Sequence, residues 1–282
     1  MQIGSWRVDL VRGGDFWLDG GVVFGIVPRT LWAGIYPPDT QNRIRIANHC
    51  LLARNGRQTV LIDTGNGTKW SPLDRRFYGL EAGDPLIESL RSLSVEPDEV
   101  DLVVFSHLHR DHVGGASHWD AGRRAVVTFR RARHLVGRRE WEDAIGQAPE
   151  LQTAYPREHL TPLEAAGLVE TIDENSEILP GLRASHTGGH TRGHMAILFE
   201  AADSGLLFIG DLCATSSHLH PMWNLAYDTF PLDTRRVKPR LLAEAAARKW
   251  WVVWPHDPQL AAARLEHRAN KSPVVIDPRV SL

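Results

Sequence analysis

The chain has 282 residues, of which 43% are hydrophobic and 23% are charged, and its formal net charge is −2. A chain of this length and composition can bury a large core, either as one domain or as two closely packed halves. Its near-neutral charge provides no overall field that would attract nucleic acids or acidic membranes, so we expect neither as a partner.

The cysteines and the first residues indicate the cellular compartment. The only two cysteines, Cys50 and Cys213, lie far apart, which argues against a disulfide framework and favours a reducing compartment. The opening stretch MQIGSWRVDLVRGGDFWLDGG lacks the apolar core of a signal peptide. No apolar run approaches the ~18 residues that suggest a transmembrane helix. We therefore expect a soluble, cytoplasmic protein.

Short apolar runs recur along the chain, and several of them end at a residue with metal-binding or acid–base chemistry. Runs of Val, Leu, Ile and Phe bounded by Gly, Asp or Pro are typical of strands. In chain order the predicted strands are QTVLID, which ends at Asp63; DLVVFSH, which ends at His107; GLRASH, which precedes TGGHTRGH; GLLFIGD, which ends at Asp211; and WWVVWPHD, which contains His256. Helices are predicted between them, around residues 84–93, 137–147 and 237–250. Strands mixed with helices predict an α/β sandwich with its site on loops at strand ends.

The stretch HLHRDH, residues 107–112, places three histidines and one aspartate on one tight turn. Imidazole and carboxylate are common ligands of divalent metals such as zinc. Residues two apart, such as His107 and His109, can bind one ion, whereas the neighbours Asp111 and His112 can bind a second. Each ion needs about three or four protein ligands, so further ligands must come from elsewhere. The candidates at strand ends, each next to Gly or Pro, are His190, Asp211 and His256.

Five segments, in this order, resemble the motifs of the metallo-β-lactamase superfamily. They are LIDTGNG, HLHRDHVGG, TGGHTRGH, FIGDLC and WPHD, and the resemblance covers nearly the whole chain. The stretches DGGVVFGIVPRTLW and DLCATSSHLHPMWNLAYD are most similar to the branch with quorum-quenching lactonases and methyl-parathion-hydrolase-like enzymes. The resemblance implies a single αββα sandwich domain over residues 1–282, built from two similar halves over roughly 1–180 and 181–282, with the metals at one edge between the sheets.

Carried over residue by residue, the resemblance implies two divalent metal ions. The first would be held by His107, His109 and His190, the second by Asp111, His112 and His256, and Asp211 would bridge both. Asp63 would orient a ligand histidine from behind, as such partners do. Zinc fits this donor set best, although manganese, iron, cobalt or nickel also bind sites of this kind.

The resemblance also implies the chemistry, which is hydrolysis by a hydroxide shared between the two ions, whose charge lowers the pKa of the water. Asp111 and Asp211 are therefore expected catalytic residues, with Asp211 as the proton shuttle. Small molecules are the expected substrates: lactones of the acyl-homoserine type or related esters, with promiscuous cleavage of phosphotriesters. The alternatives are a dedicated organophosphate or aryl-ester hydrolase and a metal-binding receptor that does not catalyse.

One position departs from the lactonase pattern. Well-known acyl-homoserine lactonases carry a tyrosine three residues after the bridging aspartate, directed at the substrate carbonyl, and this chain has Ala214 there. Thr215 and Tyr227 are the candidates to replace that tyrosine, with Tyr227 counted among the expected catalytic residues.

An apolar wall around the site would suit an acyl chain or an aryl leaving group. The residues expected to line this pocket are Phe16, Trp17, Phe24, Trp32, His218 and Trp223, with a structural role as the alternative for His218. The apolar N-terminal segment that supplies several of them could also join two copies into a homodimer.

Overall fold

The computed structural model describes residues 1–146, 148–173, 175–268 and 272–282. Its strands are β1 (Gln2–Ile3), β2 (Trp6–Arg12), β3 (Phe16–Asp19), β4 (Arg43–Ile46), β5 (His49–Arg54), β6 (Thr59–Ile62), β7 (Leu102–Val104), β8 (Ser117–Trp119), β9 (Ala125–Val127), β10 (Arg133–Gly137), β11 (Val169–Ile172), β12 (Glu177–Leu179), β13 (Leu182–His186), β14 (Met195–Glu200), β15 (Gly205–Phe208), β16 (Trp251–Val253), β17 (Ala262–Glu266) and β18 (Val274–Arg279).

The α-helices of the described residues are α1 (Gly20–Phe24), α2 (Arg29–Trp32), α3 (Pro72–Phe77), α4 (Pro85–Ser92), α5 (Arg110–Val113), α6 (Arg138–Gly146), α7 (Arg157–Ala165) and α8 (Pro231–Ala247). Short 3-10 helices cover Pro97–Glu99, Gly114–Ala116, Gly210–Cys213 and Ser216–Leu219. None of the helices in these ranges is both long enough and apolar enough to cross a lipid bilayer.

Two seven-stranded sheets form the centre of the structure. The first has the order β1-β2-β5-β6-β7-β10-β11, the second the order β12-β13-β14-β15-β16-β17-β18, and β3-β4 and β8-β9 form separate pairs. The chain passes from the first sheet to the second between Ile172 and Glu177, near the boundary expected around residue 180. The division into one domain of two similar halves stays a prediction.

The alternation of side chains along the strands produces a layered core. In β7, Leu102 and Val104 pack between the two sheets with Phe208 of the second sheet, whereas Val103 faces the opposite way and packs with Leu90 of α4. On the outer face of the second sheet, residues of α8 pack against β14 to β17. Apolar residues on both faces of a strand require cover on both sides. The layers therefore run helix, sheet, sheet, helix, and the expected αββα sandwich is confirmed.

The predicted helices exist, but their ends differ from the expectation. The helix expected at 237–250 begins at Pro231, continues through Pro239 and ends at Ala247, before Lys249 with its left-handed φ of 56°. A proline is favourable in the first turn of a helix and disfavoured in its interior, so Pro239 predicts a helix that begins near residue 237 and not at Pro231. The helix expected at 84–93 runs from Pro85 to Ser92. The one expected at 137–147 is α6, and its last expected position, residue 147, lies outside the described residues.

The pairing of strands brings the loops that contain the candidate site residues to one edge of the sheets. Strand β6 pairs in parallel with β7, and β15 pairs in parallel with β16. Because the carboxyl ends of parallel strands lie at the same edge of a sheet, the residues that follow these strands meet there. The loop between β13 and β14, which contains His190, completes the edge.

Candidate metal centre

Seven side chains meet at this edge. They form three overlapping groups whose ligand atoms lie within 4.8 Å of one another: His107, His109 and His190; His107, His112 and Asp211; Asp111, His112 and His256. We refer to the first set as the three-histidine group and to the last as the Asp111 group. They are the two ligand sets expected from the sequence, and Asp211 lies between them.

The local backbone explains how one short loop supplies both groups. His109 is in an extended conformation just before α5, with φ −63° and ψ 156°. Its side chain therefore turns to the same side as His107, whereas Asp111 lies in the helical turn that follows and points to the Asp111 group. At Gly114 an added Cβ would lie 2.2 Å from the carbonyl oxygen of Asn66, so this close approach of two loops requires glycine.

Asp211 places one carboxylate oxygen on each group. Its Oδ1 lies 3.0 Å from Nε2 of His256 and 3.4 Å from Nε2 of His112, which both belong to the Asp111 group. Its Oδ2 lies 3.3 Å from Nε2 of His190 in the three-histidine group. A carboxylate with one oxygen directed at each group has the geometry of a bridging ligand.

The hydrogen bonds behind the histidines test whether cations fit. Nδ1 of His112 lies 2.8 Å from Oδ2 of Asp63, and Nδ1 of His256 lies 2.9 Å from the carbonyl oxygen of Ala47. Both partners only accept, so each Nδ1 carries the proton and each Nε2 presents a lone pair. The two Nε2 atoms nevertheless face each other at 3.2 Å. Two lone pairs at this distance need a proton or a cation between them.

A second observation also fits a cation. Nε2 of His107 is buried and has no hydrogen-bond partner among the described residues. Nδ1 of His109 and Nε2 of His190 lie 2.9 Å apart. A buried imidazole nitrogen without a partner is costly, and a metal ion is the partner that this donor set suits. The residues of both groups thus fit divalent metal ions.

Asp63 holds the loop that carries the ligands. It has a left-handed φ of 56° directly after β6. Its Oδ1 accepts from the backbone N–H of Ser106 at 2.7 Å and its Oδ2 from the Ser106 hydroxyl at 2.6 Å, in addition to His112. One carboxylate thus orients a ligand ring and fixes the chain beside His107, which is the position expected for Asp63.

Asp228 has the corresponding place behind His190 and was missed in the sequence. Its Oδ1 lies 2.8 Å from Nδ1 of His190, and its Oδ2 accepts from the side-chain amide of Asn224 at 3.2 Å. The two residues are 38 positions apart. The stretch that contains Asp228 was part of the family resemblance, but no local pattern links it to His190.

Burial and charge set opposite protonation preferences in the site. Burial and then the neighbouring histidines lower the pKa of His107 and of His109 well below the ordinary value. Burial would lower the pKa of His112 too, but Asp111, Asp211 and Asp63 raise it well above that value. Burial would raise the pKa of Asp211, but His256, His190 and His112 hold it well below its usual range. The carboxylate is therefore ionised, and metal ions compete with protons for the histidines.

A cavity of about 620 Å³ opens onto His109 and Asp111, one residue from each group. Its apolar and aromatic lining consists of Phe16, Leu18, Val22, Trp70, Tyr78, Leu151 and Ala154, and its polar lining includes Asn66, Arg110, Glu150, Thr153, Tyr227 and Thr229. A mostly apolar cavity of this size with a few polar groups is typical of a small-molecule site.

The structure corrects most of the expected pocket lining. Phe16 does line the cavity, and its ring lies 5.9 Å from that of His256. Trp17 faces away, because side chains alternate along β3, and its ring lies 6.0 Å below the guanidinium of Arg43. An aromatic run in a strand can therefore contribute only every second residue to one cavity.

The other expected pocket residues form a buried aromatic cluster instead. Phe24 stacks on Trp32 at 5.5 Å and on His218 at 5.0 Å, and it meets the edge of Trp223 at 5.8 Å. None of these four residues lines the cavity described above. Phe24 and Trp32 are almost fully buried in this cluster, so they belong to the core and do not line the cavity. For His218 the structural role is the one observed.

The two candidates for the missing tyrosine differ in position. Ala214 is 1% exposed and lies in the buried cluster. The hydroxyl of Thr215 pairs with Nδ1 of His218 at 2.7 Å and accepts from the N–H of Ser217, so it faces the interior. Tyr227 lines the cavity, with its ring 5.4 Å from that of His190. Of the two candidates, only Tyr227 reaches the cavity.

Comparisons with known proteins identify the family and the fold. Residues 44–256 match the family model of the metallo-beta-lactamase superfamily. An N-acyl homoserine lactonase of Bacillus cereus is 25% identical over 179 residues, which cover 60% of this chain and 64% of the relative, so the match spans less than two thirds of that protein. A probable metal-dependent hydrolase from Staphylococcus aureus has 26% identity and a TM-score of 0.87, over 99% of this chain and all 100% of the other. The dizinc quorum-quenching lactonase AidC, solved with a product, has 17% identity and a TM-score of 0.78 over 98% and 96% of the chains, a likeness of fold alone.

Proposed function

The chain belongs to the metallo-beta-lactamase superfamily, and we propose that it is a dinuclear metal-dependent hydrolase that opens N-acyl homoserine lactones or closely related esters. The observation that carries the proposal is the placement of Asp211, with one carboxylate oxygen on each ligand group. The named lactonase relative supports the choice of substrate.

In this proposal His107, His109 and His190 hold one ion, Asp111, His112 and His256 hold the other, and Asp211 bridges them. Two divalent ions, zinc fitting best, would supply an activated water and would polarise the substrate carbonyl. The chain's own task is to orient the ligands. Asp63, Asp228 and the carbonyl oxygen of Ala47 hold the outer nitrogens of three histidines, so that the inner nitrogens keep their lone pairs.

The proton steps are assigned to Asp211, whose carboxylate lies between the two groups. The carboxylate takes the proton from the attacking water and passes it to the ring oxygen that leaves. In a lactone the leaving oxygen stays attached to the product, so the released hydroxyl remains within reach of the same carboxylate.

Tyr227 is the proposed donor to the substrate carbonyl. A tyrosine hydroxyl ordinarily titrates near pH ~10, so at neutral pH it keeps its proton and can donate. A donor directed at the oxygen where negative charge develops stabilises the transition state. Phe16, Leu18 and Val22 offer apolar contacts for the acyl chain in the same cavity.

Phosphotriester cleavage is proposed as a secondary activity, because it also places negative charge on an oxygen at the centre. Pocket fit, worth roughly 1–3 kcal/mol per well-placed apolar group, should favour lactones. The test compares kcat/KM of metal-supplemented protein on acyl homoserine lactones of several chain lengths, aryl esters and a paraoxon-type triester. The best medium- or long-chain lactone should exceed the triester by ~10-fold or more.

The same panel separates the alternatives. If triesters or aryl esters are better substrates than every lactone, the dedicated organophosphate or aryl-ester hydrolase replaces the lactonase assignment. Retained metal without turnover of any substrate would indicate a receptor.

We also propose that two chains associate through the N-terminal segment, which exposes Ile26 (66%) and Leu31 (55%). Sedimentation should give a dimer for the parent and a monomer for the double variant Ile26→Ser/Leu31→Ser. Val280→Ser is the control, because Val280 is 78% exposed outside this segment. A cytoplasmic location stays a prediction, with which the free, buried thiols of Cys50 and Cys213 agree.

A further inference from the structure

Glu140 lies outside the ligand set, yet it contacts both of the loops that form the three-histidine group. Its side chain is fully buried, in the first turn of α6. Oε1 accepts from the backbone N–H of Leu108 at 2.9 Å, and Oε2 accepts from the hydroxyl of Thr191 at 2.6 Å. Leu108 lies between His107 and His109, and Thr191 directly follows His190. One carboxylate thus joins the loop after β7 to the loop after β13.

A buried carboxylate at this place needs an explanation. Burying a charged group costs free energy unless it is hydrogen-bonded, and both oxygens of Glu140 are. The first turn of a helix also favours negative charge. Because covalent geometry fixes the separation of the two oxygens, the carboxylate fixes the separation of the two loops that donate to it.

Two neighbours hold in place this clamp, by which we mean the Glu140 carboxylate with its hydrogen bonds to Leu108 and Thr191. Tyr155 is buried on one side of the clamp, and its ring lies 5.6 Å from that of His109. On the other side, a Cβ at Gly193 would lie 2.2 Å from the backbone nitrogen of Glu140, so the His190 loop packs directly on the first turn of α6. Neither loop can move without displacing Glu140.

We propose that Glu140 is a positioning residue that fixes His109 and His190 relative to each other and so sets the metal affinity of the three-histidine group. The contact that it fixes is the 2.9 Å approach of Nδ1 of His109 and Nε2 of His190. The inference rests on the proposed function only in that this group holds an ion.

The test is zinc binding, measured by competition with a chromophoric chelator on folded, metal-stripped protein. Glu140→Met keeps the side-chain length and removes both acceptors, whereas Glu140→Gln can still accept from Leu108 and contact the Thr191 hydroxyl. Glu244→Met in α8 is the control, because the Glu244 side chain is 49% exposed and pairs with Arg248, which lies in neither of the two loops. Circular dichroism and thermal unfolding report whether each variant is folded.

We expect Glu140→Met to weaken one zinc equivalent by about 10–100-fold, the range for residues that orient ligands, and to leave the other within about 3-fold. The weakened equivalent should be the one lost in His190→Ala. Glu140→Gln and Glu244→Met should both stay within about 3-fold of the parent. Unchanged affinities in folded Glu140→Met, or equal weakening of both equivalents, would overturn the proposal.

Two further outcomes keep the test decisive. If Glu140→Met does not fold, Thr191→Val decides, because it removes only the hydroxyl at Oε2. Weakening of the same equivalent would support the proposal, and unchanged zinc binding would reject it. If the parent binds only one zinc equivalent, the dinuclear proposal fails, but the role of Glu140 can still be tested. Weaker binding of that equivalent by Glu140→Met, with parent-like binding by Glu140→Gln, would support the positioning role. Any other result would reject it.

Discussion

His112 and His256 turn their Nε2 atoms toward each other at 3.2 Å, although each ring already directs its Nδ1 outward, to Asp63 and to the carbonyl oxygen of Ala47. Two lone pairs that face each other repel, and a proton or a cation shared between them removes this repulsion. The outer acceptors therefore prepare the inner nitrogens for a metal ion before any ion binds. The same logic applies to His190 with Asp228 behind it.

Replacing Asp211 tests the bridge. Asp211→Asn keeps the shape of the side chain but loses the negative charge between the groups and the ability to carry a proton. We expect kcat on the best lactone to fall by at least ~10²-fold, with weaker binding of the second metal. Near-normal turnover at full metal content would show that Asp211 neither bridges nor transfers protons.

Tyr227→Phe tests the donor to the substrate carbonyl. Loss of one hydrogen bond to an oxygen that gains negative charge should lower kcat/KM for lactones by about 10-fold. Triesters should change less if the hydroxyl is directed at the lactone carbonyl. Thr215→Val is the comparison, because its hydroxyl faces His218 and not the cavity. A larger loss in the Thr215 variant than in the Tyr227 variant would reverse the assignment.

Two variants of Asp228 distinguish the effect of its hydrogen bond to His190 from the effect of its size. Asp228→Ala removes the acceptor behind His190, so zinc affinity should fall by about 10–100-fold. Asp228→Asn still offers an oxygen to Nδ1 and should recover most of the affinity. Chelator competition provides both values, and equal affinities for all three proteins would exclude an orienting role.

The stability of the aromatic cluster should depend on pH through His218. Burial, then the charge of Lys238, lowers the pKa of His218 from 6.5 to about 4, so the unfolded chain binds a proton between these values that the folded chain does not. His218 therefore contributes stability above pH 6.5 that is lost as the pH falls toward 4. Relative to His218→Gln, the parent's free energy of unfolding should fall by about 2 kcal/mol between pH 7 and pH 5. Chemical denaturation of both metal-stripped proteins measures it, and a constant difference would contradict the buried neutral imidazole.

The spacing within HLHRDH predicts that its four ligand candidates lie together, whereas only the family motifs point to the distant His190, Asp211 and His256. His107 and His109 must share a side of an extended segment, and Asp63 must follow a strand. Asp228 and Glu140 could not be found in this way, because their partners lie 38 and 51 residues away, at His190 and Thr191. Aromatic composition likewise cannot show which rings line a cavity and which lie in the core. Phe16 and Phe24 have similar sequence surroundings, but Phe16 lines the cavity and Phe24 packs in the buried cluster.

We propose that two metal ions, held by the three-histidine group and the Asp111 group, are required for lactone hydrolysis. The most direct test strips the protein of metal, returns zinc in steps, and follows the hydrolysis rate of the best acyl homoserine lactone against bound zinc per chain. The rate should be near zero without metal and should reach its plateau at two equivalents. A plateau at one equivalent would contradict the dinuclear centre, and undiminished hydrolysis by the stripped protein would contradict metal dependence altogether.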